Sequence, residues 1–276
     1  MSQFAQAVPV LMYHHVSPNP GLVTVSPATF TDHMDYLARG GYTALTADQF
    51  LAFLQGSYQA PAKSVLITFD DGYLDNYVYA YPTLQSLGLR AVIFCVTGWL
   101  SDGKPRYHAG EAAALPNCPN HRACKQAIAA GQADDVIMRW SEVERMSRDG
   151  TIEAHSHTHS HTRWDKIVAN GDERSERLAK DLADSQQSLL AHLGKQSNHL
   201  CWPQGYFDAA YQTAATHLGF VAQYTTSQHV NSRTTAPDQI GRFVAKDRSA
   251  NWLATRLFLY SSPILRSLYC QLRNAI

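Results

Sequence analysis

Leu66-Ile67-Thr68-Phe69-Asp70-Asp71-Gly72 is a short apolar run that ends abruptly in two adjacent carboxylates and a glycine. Its β-branched and aromatic residues read as a buried strand that delivers two acids to its C-terminal end, where Gly72 lets the chain turn away. Two carboxylates placed there repel each other and resist burial unless a cation or a proton lies between them. The plain alternative is an Asp-Asp-Gly turn joining a strand to a helix.

Working outward, the same rhythm repeats on both sides. Upstream, Val8-Pro9-Val10-Leu11-Met12-Tyr13 reads as a strand ending in His14-His15. Ser26-Pro27 then opens a helix with Phe30, Met34 and Leu37 on one face, closed by Gly40-Gly41. Thr43-Ala44-Leu45 is a short strand, and Thr46 with Gln49 forms a capping box for a helix through Leu54.

Downstream, a helix carries Leu84 and Leu87, and Arg90 to Val96 is a continuous apolar strand suited to burial on both faces. Residues 99–139 break the rhythm and read as an insertion or lid. Ser141 and Glu144 suggest a second capping box, and Thr151 to Ala154 is the next strand. Further strands are expected over His199 to Trp202, Phe220 to Tyr224 and Ile240 to Val244, with helices over Arg174 to Leu193 and Asp208 to Leu218. About eight strands alternating with helices predict an α/β chain with a parallel, barrel-like sheet. His14, Asp70-Asp71, the histidines from His155 and the Pro203 loop all follow strands, at the edge where such sheets assemble active sites.

With 23 basic and 23 acidic residues in 276, the chain has no global electrostatic case for nucleic acid. Its 45% hydrophobic content suits a soluble globular protein, and no run approaches the roughly 20 apolar residues of a membrane span. Five cysteines give no disulfide framework, although Cys118-Pro119-Asn120-His121-Arg122-Ala123-Cys124 offers a weak zinc pattern without an obvious fourth ligand. With no signal-like N-terminus, the expected location is cytoplasmic, at most at the inner face of a membrane.

His155-Ser156-His157-Thr158-His159-Ser160-His161 supplies imidazoles at several spacings. One helical turn after the strand brings i and i+4 together, so His155 with His159, or His157 with His161, satisfies the same geometry. Two imidazoles and a carboxylate form a catalytic zinc-type set. The same set serves non-haem iron oxygenases, and a solvated polar loop is the reading without chemistry.

Thr68-Phe69-Asp70-Asp71-Gly72, then His155-Ser156-His157-Thr158-His159, then Trp202-Pro203-Gln204-Gly205 together resemble the polysaccharide deacetylases of the NodB-homology carbohydrate esterase group. The resemblance runs from about Val8 to Val244. It implies a distorted (β/α) barrel and metal-dependent removal of N-acetyl groups from hexosamines of an envelope glycan or its precursor. By position it makes Asp70 the general base and Asp71, His155 and His159 the ligands of a divalent metal, with zinc first and cobalt, nickel or iron as alternatives. His155 is preferred because Ala154 matches the small residue that the family places before its first histidine. The resemblance also implies that Pro203, Gln204 and Gly205 line the acetyl pocket, with the Gln204 N–H on the oxyanion.

Departures from the family pattern shape the remaining expectations. No histidine follows His229, so the usual late acid is missing and His14 stands in for it. Arg242 resembles an arginine that some members place against the catalytic Asp. Gln204 stands where a tyrosine is usual. Trp99, Trp140 and Trp202 are candidate sugar-stacking walls. An inactive glycan-binding member is the remaining alternative.

The expected division is a deacetylase-like domain over 1–247 and a C-terminal segment over 248–276. After Asp247 that segment has arginines and no acids, interleaved with Trp252, Leu253, Leu257, Phe258, Leu265, Leu268, Tyr269 and Leu272. It reads either as a terminal helix covering the barrel or as a basic amphipathic helix at a membrane interface, near a lipid-linked glycan.

Overall fold

A computed structural model describes residues 3–262 and residue 264. Among the described residues ten strands are formed: β1 (Val10–Tyr13), β2 (His15–Val16), β3 (Thr24–Val25), β4 (Thr43–Ala44), β5 (Ser64–Asp71), β6 (Ala91–Cys95), β7 (Ile152–Ser156), β8 (His199–Cys201), β9 (Ala222–Tyr224) and β10 (Phe243–Val244). The main sheet is parallel throughout, in the order β10-β1-β5-β6-β7-β8-β9, with β4 beside the start of β5. β2 and β3 form a separate parallel pair. Ile240 bridges to Tyr224 on β9 while Phe243 pairs with Leu11 on β1, so residues 240–244 touch both edges of the curled sheet. The fold is thus an incompletely closed, distorted (β/α) barrel, as the alternation of elements predicts.

The helices are α1 (Pro27–Arg39), α2 (Ala47–Leu54), α3 (Tyr81–Ser86), α4 (His121–Ala129), α5 (Trp140–Arg148), α6 (Trp164–Ile167), α7 (Gly171–Leu193), α8 (Ala209–His217) and α9 (Ala250–Tyr260). Local chemistry explains several boundaries. Ser26 caps α1 ahead of Pro27, and Thr46 with Gln49 forms the expected box on α2. The expected Ser141–Glu144 box is replaced by Glu142 accepting from the Arg139 N–H at 2.8 Å, so α5 begins two residues earlier.

Period-two alternation sorts the strands into an outer and an inner face. Ile67, Phe69 and Ile93 pack outward with Phe30 and Met34 of α1 and their neighbours. Val10, Leu66, Val92, Phe94, Cys201 and Tyr224 pack together inside the barrel. The inner positions nearest the C-terminal rim change from apolar to chemical: Leu66 is followed by Thr68 and Asp70, and Glu153 by His155 and His157.

The 99–139 insertion is tied down by charge. Arg106 donates to both carboxylate oxygens of the fully buried Glu142 at 2.8 Å, and to the backbone carbonyls of Asp134 and Ile137. At the other end of the chain, α9 buries Leu253 and Leu257, and Tyr260 meets Phe243 at a 4.8 Å ring separation. Residues 250–260 therefore pack on the barrel. Leu265, Leu268, Tyr269 and Leu272 of the expected amphipathic segment lie outside the described residues. No helix among the described residues is long and apolar enough to cross a membrane.

Candidate active site

At the C-terminal rim of the barrel lies a cavity of about 170 Å3 into which five segments converge. β1 and its exit bring His14, β5 brings Asp70 and Asp71, and the loop after β7 brings His157 and His161. The loop after β8 brings Trp202, Gln204 and Gly205. The insertion contributes His121 and Lys125, with Leu22, Val23 and Thr226 completing the wall.

Backbone strain gathers here. Asp71, His161, Gln204 and Val23 have φ between 51° and 74°, and Thr158 beside them has φ of 66°. Such left-handed non-glycine residues cost about 1–3 kcal/mol each and persist where surrounding structure holds them for a purpose. Gly205 has φ of 69° and packs so tightly that an added Cβ would run into Thr226. The pocket loop therefore needs glycine at that position.

The turn after β7 decides which histidines meet Asp71. His157 Nε2 lies 3.3 Å and His161 Nε2 3.4 Å from Asp71 Oδ1. The expected pair His155 and His159 does not reach it. His155 shares the inward face with His157, but two residues of strand set them about 7 Å apart along the barrel. His155 thus sits one layer deeper, its Nδ1 on the Ser197 hydroxyl at 2.8 Å and its Nε2 3.7 Å from Glu153. The left-handed Thr158 then reverses the chain and sends His159 outward to Thr97 Oγ1 at 3.0 Å. Gly98 makes that contact close, since a Cβ there would stand 2.6 Å from the His159 carbonyl.

Asp71, His157 and His161 fit a divalent cation. Asp71 Oδ1 is buried and lacks a hydrogen-bond partner, which is costly for a carboxylate oxygen left without a cation. His157 Nδ1 donates to the Cys201 carbonyl at 2.8 Å, which turns Nε2 toward Asp71. Burial alone would raise the Asp71 pKa, but His157 and His161 outweigh it and hold the group well below the usual carboxylate range. Burial lowers His161 to about 4, so its imidazole is neutral at ordinary pH.

Asp70, His157 and Cys201 also lie close enough to suggest a second ligand set. Arg242 removes that option, because its guanidinium lies against both Asp70 oxygens and 3.0 Å from Cys201 Sγ, where it would repel a metal. Burial pushes Asp70 up and the Arg242 charge more than offsets it, so the carboxylate stays ionised. His14 Nε2 is 3.8 Å from Asp70 Oδ2, and burial lowers its pKa.

The other expected residues divide. Trp202 is fully buried and lines the cavity, its Nε1 donating to Gln223 at 3.1 Å. Gln204 and Gly205 line the cavity as well, while Pro203 is buried beside them. Trp140 does not take part. As the first residue of α5 it stacks on His192 of α7 at 4.1 Å, within the packing between helices and outside the cavity lining. Trp99 lies 5.3 Å from the His161 ring. Cys118 and Cys124 are buried, with Cys124 Sγ donating to the Pro119 carbonyl at 3.4 Å, and neither belongs to a candidate metal group among the described residues. His121, Lys125, Leu22, Val23 and Thr226 are pocket residues that sequence reasoning missed. Only the histidine inside the Cys118–Cys124 run hinted at one of them.

A parallel barrel with adjacent carboxylates and two imidazoles at its C-terminal rim is an arrangement suited to hydrolysis. The chain belongs to the polysaccharide deacetylase family, whose profile matches residues 57–223, more than half its length. The chain is thus a hydrolase acting on amide bonds, and its alternating β-α order and parallel barrel argue against the oxygenase reading.

The chain is 27% identical over 226 residues to YxkH of Bacillus subtilis (strain 168), spanning 82% of this chain and 67% of that protein. It is 25% identical over 141 residues to the poly-beta-1,6-N-acetyl-D-glucosamine N-deacetylase of Escherichia coli (strain K12), covering 49% of this chain but 18% of that enzyme. In fold it resembles IcaB from Ammonifex degensii, with a TM-score of 0.72 at 23% identity over 94% of this chain and 98% of that one. The Streptococcus pyogenes deacetylase PplD is similar, with a TM-score of 0.70 at 21% identity over 92% and 99%.

Proposed function

We propose that the chain removes N-acetyl groups from hexosamine residues of a bacterial envelope glycan or its precursor, and that Asp71, His157 and His161 hold a divalent metal, zinc in the first instance. The carrying observation is the unpartnered, buried Asp71 Oδ1 between two imidazole nitrogens, with an ionised Asp70 in the same cavity. A name among the relatives, the Escherichia coli poly-beta-1,6-N-acetyl-D-glucosamine N-deacetylase, makes β-1,6-linked N-acetylglucosamine the first substrate to try.

When bound, the cation would polarise the amide carbonyl and lower the pKa of a nearby water. The chain's own residues supply the remainder. Asp70, kept charged by Arg242, accepts the proton of the attacking water. The Gln204 backbone N–H, fixed by its left-handed conformation, is assigned to the oxyanion, an interaction worth a few kcal/mol. His14, neutral in the resting site and 3.8 Å from Asp70, takes that proton at Nε2 and delivers it to the leaving amine. Trp202 and Gly205 close the acetyl side of the cavity.

The test is acetate release from N-acetylglucosamine oligomers after metal loading. Asp70→Asn is expected to keep its metal while losing about 10²–10⁴-fold in rate. Full acetate release by that variant would remove Asp70 from the mechanism. A metal-loaded wild type that releases no acetate from any N-acetylated glycan would favour an inactive, glycan-binding member.

A further inference from the structure

The cavity is also lined by α4 of the insertion, which carries a feature that the chemistry above leaves unused. Asp75 Oδ2 lies 2.6 Å from His15 Nδ1, and His15 Nε2 lies 3.1 Å from His121 Nδ1. Asp75 and His15 are buried, and only the last ring of the chain opens on the cavity. The arrangement is over-determined. Asp75 Oδ1 also accepts from the Val16 N–H and the Asn76 amide, and Tyr73 stacks on His15 at 3.8 Å. α4 is itself held in place, since Ser17 and Asn19 donate to the Cys118 carbonyl just before it and Cys124 is buried beneath it.

A carboxylate can only accept, so a neutral His15 donates its Nδ1–H to Asp75 and presents a lone pair at Nε2. His121 must then donate its Nδ1–H, which fixes its tautomer and leaves Nε2 as an acceptor. Lys125, one helical turn further, also lines the cavity and has no ion-pair partner among the described residues. Burying a carboxylate–imidazole pair in order to orient one partly buried ring is expensive if the ring does nothing.

We propose that His121 is a substrate-binding residue of this active site, oriented by the buried Asp75–His15 pair, and that its Nε2 accepts a hydrogen bond from a sugar hydroxyl beside the N-acetyl group being cleaved. This rests on the deacetylase reading of the same site. It makes Asp75 and His15 positioning residues and makes the insertion a determinant of which glycan is held.

The test uses the full metal-loaded chain with β-1,6-linked N-acetylglucosamine oligomers. His121→Ala, on a partly exposed helix position, is expected to fold and to keep its metal stoichiometry. It should raise KM about tenfold with kcat changed less than threefold. In an Asp70→Asn background, His121→Ala should weaken oligomer binding measured by calorimetry by the same factor. Asp75→Asn should act in the same direction, and should add nothing once His121 is alanine. Normal wild-type turnover with KM and oligomer affinity within twofold in His121→Ala overturns this inference alone, as does full additivity of the two substitutions. Failure of the wild type to release acetate, together with failure of Asp70→Asn to bind oligomer, overturns the deacetylase reading and this inference with it.

Discussion

Arg242 grips Asp70 with both ends of its guanidinium, Nη1 to Oδ1 at 2.6 Å and Nη2 to Oδ2 at 2.8 Å, where neither side chain has appreciable solvent exposure. The two residues are 172 positions apart in sequence and meet because β10 closes onto β1 beside β5. The pair keeps the Asp70 carboxylate charged in a place that would otherwise protonate it.

Breaking this pair should therefore cost both stability and turnover. Arg242→Gln leaves a buried carboxylate without a counter-charge and should lower unfolding free energy by about 3–5 kcal/mol in urea, with acetate release falling at least about 10²-fold. Arg242→Lys should recover only part of both, because an ammonium cannot make the two-pronged contact. A lysine variant indistinguishable from wild type would show that charge alone matters.

Metal retention should follow the geometry after β7. Asp71→Asn, His157→Gln and His161→Gln each remove a proposed ligand and should weaken zinc affinity at least about 100-fold in chelator-buffered titrations. His155→Gln and His159→Gln should hold zinc like wild type. The reverse pattern would return the site to the pair preferred from sequence.

The insertion hangs on Glu142. Replacing it with alanine strands the Arg106 guanidinium among the carbonyls of Asp134 and Ile137, a loss of about 3–5 kcal/mol. Limited proteolysis should then cut within residues 99–139 well before the barrel. Because α4 carries His121, oligomer affinity should fall as well. Unchanged cleavage sites would mean that the hydrophobic contacts of the insertion suffice.

Acid stability should depend in part on Asp48, whose hydrogen bond to His199, Nε2 to Oδ1 at 3.0 Å, lowers its pKa to about 2. A carboxyl depressed on folding stabilises above its unfolded value near 3.9, and that contribution is lost as pH falls through the folded value. Wild type should thus melt above Asp48→Asn at pH 5, with the gap closing near pH 2. The gap should be small, because Asp48 is largely exposed. A constant gap across that range would exclude the linkage.

The sequence alone carried everything that depends on neighbours along the chain. Alternation and β-branched runs marked all eight strands of the main sheet, and caps marked α1 and α2, because strand period and helix capping are short-range matters. The Asp70-Asp71-Gly72 ending located the site and the resemblance named its chemistry. Tertiary structure decided the rest. His155 and His157 have the same residue type and the same face, and only the level at which β7 leaves the barrel separates a buried polar contact from a ring that meets Asp71. Trp140 fell to helix packing, and His121 reached the cavity because an insertion folded back over it. These outcomes depend on contacts between residues tens to hundreds of positions apart, whose energies no local pattern encodes.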